Sequence, residues 1–131
     1  MQSQKQKFLE LLQNKSLRVG ILGLGYVGLP LVLRFSEAGF RVTGLDIDEE
    51  KVRLLNAGKS YIEHISADSV RALHDKGFKA TADFSLSAEC DVLILCVPTP
   101  LNKYREPDLS YVTSTIDSIL PFMRAGQMIS L

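Results

Sequence analysis

Apolar positions along this chain switch repeatedly between a helical and an extended period, and the switches lay out alternating elements. Residues 3–14 set Phe8, Leu9, Leu11 and Leu12 among Gln, Lys and Glu, the spacing of a short amphipathic helix. A β-rich run over 17–22 leads into a turn at 23–28 punctuated by glycines. Val27, Leu31, Val32 and Phe35 then recur at helical spacing over 26–38, with Gly39 as a stop and Pro30 early, where a missing amide costs least. A second strand is predicted over 40–47, a charged helix over 49–56 and a further helix over 66–76, closed by Gly77. A short strand at 78–80 and a helical turn at 85–89 precede an apolar run from 90 or 91 to 97. That run is continuous enough to predict burial on both faces of a parallel sheet. Beyond a loop holding Pro98, Pro100 and Pro107, Asp108 is predicted to cap a helix with Leu109, Val112, Ile116 and Ile119 on one face. Gly126 precedes a last apolar run at 128–131. Strands alternating with helices predict an α/β fold with a doubly wound parallel sheet.

Composition narrows the function classes. The 131 residues suit one domain, and 46% hydrophobic residues supply a core without staples. Lys+Arg 15 against Asp+Glu 15 leaves no net charge, so no electrostatic case exists for nucleic acid or an anionic membrane. The longest uncharged stretch, between Arg18 and Arg34, has fifteen residues with four glycines, short of the roughly 20 apolar residues of a spanning helix. The polar N-terminus leads into no long apolar core and is not read as a signal peptide. Cys90 and Cys96, about 20 Å apart if the strand is extended, cannot pair, and no Cys or His spacing fits a metal site. Reduced thiols in a cytoplasmic protein are expected. Because the last apolar run breaks off within a strand pattern, the chain is expected to be a piece of a longer protein. Residues 1–16 would be a helical extension and 17–131 the domain proper.

The glycine turn carries the chemistry. Gly23-Leu24-Gly25-Tyr26-Val27-Gly28 is a G-x-G-x-x-G motif with a predicted strand before it, a helix after it and an acid at the end of the next strand. Gly23 would permit the tight turn, Gly25 the approach of a pyrophosphate, and Gly28 close packing of helix on sheet. The amides of Tyr26 and Val27 would then face the diphosphate at the positive end of the helix. Asp46, 18 residues after Gly28, is placed to accept from both ribose hydroxyls and to repel a 2′-phosphate. NAD is therefore favoured over NADP, although Lys51 and Arg53 lie near enough to temper the preference. Asp48 is expected to cap the following helix. In a doubly wound sheet Val97, Pro98 and Thr99 would leave their strand beside the cofactor crevice. Lys103, Tyr104 and Arg105 could reach an anionic substrate or another subunit, or form an exposed polar loop. His64 and His74 read as surface or packing residues.

Taken together, Gly-Leu-Gly-Tyr-Val-Gly-Leu-Pro at 23–30, Gly-Leu-Asp-Ile-Asp at 44–48, Val-Pro-Thr-Pro at 97–100 and Pro-Asp-Leu at 107–109 resemble the N-terminal cofactor domain of the UDP-glucose/GDP-mannose dehydrogenase family. Within it, Tyr-Ile-Glu-His-Ile at 61–65 and the loop at 98–108 most resemble the UDP-N-acetylglucosamine 6-dehydrogenases, which serve bacterial O-antigen and capsule synthesis. The resemblance implies a Rossmann-like domain and an NAD-dependent oxidation of a UDP-sugar's primary hydroxyl at carbon 6 to a carboxylate, in two hydride transfers. It implies a cofactor set of Gly23, Gly25, Tyr26, Val27, Gly28, Asp46, Lys51, Val97, Pro98 and Thr99, and a homodimer or higher homo-oligomer. The family's nucleophilic cysteine and its catalytic lysine and asparagine match no position here, so no catalytic residue is assigned and the chain alone is expected to be inactive. Two other readings stay open: a stand-alone NAD-sensing module like those attached to potassium channels, and the cofactor domain of a β-hydroxyacid-type dehydrogenase.

Overall fold

A computed structural model describes residues 2–131. Helix α1 (Gln4–Gln13) starts at a capping box, in which Ser3 and Gln6 satisfy each other's backbone amides. Of the expected extension at 1–16, residue 1 lies outside the described residues. The rest alternates as β1 (Arg18–Leu22), α2 (Gly28–Glu37), β2 (Arg41–Leu45), α3 (Glu49–Asn56), α4 (Ala67–Asp75), β3 (Lys79–Thr81), β4 (Val92–Leu95), α5 (Ser110–Ile119) and β5 (Met128–Ser130). Short 3-10 segments occupy Phe84–Glu89 and Leu120–Phe122. All strands run parallel in the order β3-β2-β1-β4-β5, the expected doubly wound sheet.

Period-two alternation divides the core between the two faces of the sheet. Val19, Ile21 and Val42 pack with Leu29 and Val32 of α2, Leu55 of α3, and Val70 and Leu73 of α4. Leu22, Leu45, Leu93 and Leu95 face the other way, against Val112 and Ile119 of α5. Both faces are covered, which is why the strands read as unbroken apolar runs.

Two expectations for the fifth helix need correction. Its N-cap position is Leu109, not Asp108, although the Asp108 carboxylate still accepts from the Ser110 amide at 2.9 Å. Its predicted apolar face is only half used: Val112 and Ile119 are buried, while Leu109 and Ile116 are exposed. The helix touches the sheet near β4, and beside it the edge strand β5 leaves Met128 and Ile129 exposed. The strand predicted from 90 or 91 to 97 is shorter, with Val92 and Ile94 only partly buried.

β5 is fastened to β4 through Asp91. Arg124 donates to the carbonyls of Ala88 and Cys90 and to the Asp91 carboxylate at 2.9 Å, while the other carboxylate oxygen accepts from the Arg18 amide at 2.9 Å. Asp91 is thus bonded to strand β1 and to the approach to β5 at once. Asp91→Ala is expected to cost about 2 kcal/mol in urea denaturation, the scale of a lost charge-assisted pair. Breaking the exposed Arg34–Glu37 pair should cost under about 0.5 kcal/mol.

Candidate cofactor-binding site

Where β1 turns into α2, the chain must reverse within a few residues beside two neighbouring strands. Gly23 takes φ +100°, which favours glycine, and a Cβ there would lie 2.6 Å from the Cys96 carbonyl oxygen of β4's exit. Its amide donates to the Leu45 carbonyl at 2.8 Å. At Gly28 a Cβ would lie 1.6 Å from the Gly23 carbonyl oxygen, so turn and helix touch backbone to backbone. At Gly25 the picture reverses: a Cβ would meet nothing within 4 Å. The first and last glycines are required by the protein's own backbone, and the middle one opens onto empty space.

That space is a cleft of about 570 Å³ at the carboxyl ends of β1, β2 and β4, within the size range of small-molecule sites. Gly23, Gly25, Tyr26, Val27, Asp46, Lys51, Val97, Pro98 and Thr99 all line it; Gly28 does not and instead supports the turn from behind. Tyr26, Val27 and Ile47, which line it, expose 77%, 64% and 73% of their surfaces, apolar area left open beside polar backbone. Among the described residues, the amides of Gly25, Tyr26 and Val27 donate to no protein group. This combination suits a dinucleotide, with unengaged amides for a diphosphate and bare apolar side chains for rings.

Asp46 follows β2 and reaches across to the turn. One carboxylate oxygen accepts from the Leu24 amide at 2.8 Å and the other from the Asp48 amide at 2.9 Å. Each keeps a further lone pair for a ribose hydroxyl. Asp48 caps α3 as expected, accepting from the amides of Glu50 and Lys51. Lys51, in the first turn of that helix, holds its Nζ 5.8 Å from the centre of the Tyr61 ring. The Tyr61 hydroxyl donates to the Leu24 carbonyl, and burial, with Asp46 and Asp48 nearby, pushes its pKa far above the ordinary phenol range.

Several lining residues escaped the sequence reading. Ile47 has a signal in the sequence, being an apolar side chain placed directly after Asp46. Phe84, Tyr111 and Thr115 come from the opposite wall and have no local signature. Cys96 also lines the cleft, half-buried, and burial raises its thiol pKa as it drives that of the Cys90 thiol up to about 11. Lys103, Tyr104 and Arg105 are absent from the cleft wall. They cap a hairpin closed by a Leu101–Pro107 bridge and by Asn102, whose side chain accepts from the amides of Tyr104 and Glu106. His74 packs on Phe78 and bonds the Leu55 carbonyl, and His64 is exposed. No group of three or more His, Cys, Asp or Glu among the described residues could hold a metal.

The sequence profile of the UDP-glucose/GDP-mannose dehydrogenase family, NAD binding domain, matches residues 17–131. A UDP-N-acetyl-D-mannosamine dehydrogenase from Escherichia coli is 33% identical over 114 residues, 86% of this chain and 27% of the relative. A solved UDP-N-acetyl-D-mannosamine dehydrogenase from Pyrococcus horikoshii superimposes with a TM-score of 0.79 at 33% identity, covering 86% of this chain and 28% of that one. A GDP-mannose dehydrogenase from Pseudomonas aeruginosa gives 0.72 at 32%, covering 78% and 24%. The chain thus spans about a quarter of the length of these relatives, and the N-acetylhexosamine enzymes among them are named for mannosamine, not for the glucosamine expected from the motifs at 61–65 and 98–108. With the glycine turn, the acid after β2 and the parallel sheet all in place, the chain belongs to the UDP-glucose/GDP-mannose dehydrogenase family, as its NAD-binding domain.

Proposed function

We propose that residues 17–131 are the cofactor half of a nucleotide-sugar 6-dehydrogenase, with residues 1–16 as an added helix. The observation that carries this reading is the open cradle at Gly25, flanked by unengaged amides and the Asp46 carboxylate. Gly25, Tyr26 and Val27 would hold the diphosphate, Asp46 and Lys51 the adenosine ribose, and Val97, Pro98 and Thr99 the far side of the cofactor. Gly23 and Gly28 would keep the turn in shape. When bound, NAD supplies the acceptor for hydride. The domain's own share is to orient it and to exclude a 2′-phosphate through the charge of Asp46.

The substrate is a UDP-N-acetylhexosamine, oxidised at its carbon 6 hydroxyl to the carboxylate in the cytoplasm to supply a surface polysaccharide such as O-antigen. The motifs at 61–65 and 98–108 favour the glucosamine form, and relatives named for mannosamine make the epimer the first competitor. The whole enzyme, acting as a homo-oligomer, should reduce two NAD per UDP-N-acetylglucosamine consumed. The assay follows NADH absorbance with the N-acetylglucosamine, N-acetylmannosamine and glucose nucleotides offered in parallel. Faster turnover of the mannosamine form would reassign the sugar. No turnover of any, with assembly that changes on adding NAD, would replace the enzyme by a sensing module. The 131-residue chain alone should bind NAD and form no NADH.

A further inference from the structure

The segment between α3 and α4 reaches the glycine turn from outside the strand-turn-helix unit. Ile62 and Ile65 are buried in the core, which anchors the segment, and Tyr61 beside them is half-buried. Leu24 is thereby gripped at both ends of its peptide units: its amide donates to Asp46, and its carbonyl accepts from the Tyr61 hydroxyl. Its side chain is fully buried. The next three residues line the cleft, and their amides donate to no protein group among the described residues. The same tyrosine offers its ring to the Lys51 ammonium at 5.8 Å, inside the range of a cation–π contact.

We propose that Tyr61 is a positioning residue of the cofactor site, holding the phosphate-binding turn through the Leu24 carbonyl and setting the place of the Lys51 charge through its ring. The inference builds on the reading that the cleft holds NAD, and adds a residue 37 positions from the turn that neither the glycine motif nor the ribose acid includes. Its phenol stays a donor across the working pH range, since burial and the two neighbouring carboxylates oppose ionisation. A turn held at Leu24 is ordered before ligand arrives, so binding loses less entropy.

Tyr61→Phe removes only the hydroxyl and keeps the ring under Lys51. Calorimetry on the full chain, below the melting temperature of every variant, should show NAD affinity lowered about fivefold, the scale of one lost hydrogen bond. In the ligand-free chain, the NMR amide signals of Gly25, Tyr26 and Val27 should shift or broaden in the same variant. Tyr61→Leu should weaken NAD further, and that further loss should vanish where Lys51 is already methionine. Turn amides unmoved by Tyr61→Phe overturn the proposal, whatever the affinity. So does a Tyr61→Phe chain that binds NAD like its parent and only melts earlier, the result for a tyrosine that merely packs. If the parent fails to bind NAD, the cofactor reading of the cleft falls, and the turn amides still decide the role of Tyr61.

Discussion

Gly28→Ala should all but destroy the domain. The added Cβ would sit 1.6 Å from the Gly23 carbonyl oxygen and 2.8 Å from its carbon, and neither atom can yield cheaply. Gly23 is held by the hydrogen bond its amide donates to the Leu45 carbonyl, and its own surroundings leave a side chain no room, with the Cys96 carbonyl close by. Relief would have to move α2 bodily off the sheet, exposing Leu29 and Val32, both fully buried. Overpacking typically costs about 1–3 kcal/mol, and a backbone collision of this depth should exceed that range. For a domain stable by roughly 5–15 kcal/mol this leaves a marginal fold. Urea denaturation followed by circular dichroism reads the effect directly; an unchanged midpoint would contradict the packing described.

Gly25→Val should do the opposite, sparing the fold and abolishing binding. No atom lies within 4 Å of a Cβ at this position, and its φ lies outside the left-handed region. The melting transition should therefore stay close to that of the parent, within about 0.5 kcal/mol, as for other substitutions that touch nothing. NAD affinity should fall at least about a hundredfold, because the side chain fills the space through which a pyrophosphate reaches the amides. Two glycines three residues apart, in one motif, thus separate cleanly in a pair of measurements. Their contrast distinguishes a ligand cradle from a turn that is tight for internal reasons alone.

Much of this geometry is legible along the chain because it is local. The turn, its glycines, the Asp46 acid and the Asp48 cap all follow from residue types at short spacing, and the structure places each of them at the cleft or at its helix end. What the chain order hides is contact made across crossovers. The Tyr61 hydroxyl on the Leu24 carbonyl joins residues that share no period or motif, and depends on where the segment after α3 passes over the sheet. The same holds for Tyr111 and Thr115, which face the cleft only because α5 returns on the other side of β4. The apolar stripe of α5 overstated its burial because pattern reports a capacity to be covered, and the sheet beneath ends at β5, where Ile129 itself is exposed. The loop at 98–107 carried two plausible partners for its cations, and neither could be chosen from spacing. In the structure Asn102 folds it into a hairpin that keeps Lys103 and Arg105 away from the cleft wall.

Asp46 is where the proposed choice of cofactor and the site geometry meet, since its carboxylate braces the turn at Leu24 and lines the cleft. The most direct test is a calorimetric titration of the chain with NAD and with NADP, repeated on Asp46→Ala. One NAD should bind per chain, NADP at least about tenfold more weakly, and the substitution should weaken NAD while narrowing the gap between the two. Equal affinity for the two dinucleotides, or an Asp46→Ala chain that binds NAD as tightly as its parent, would contradict the placement of the cofactor in this cleft.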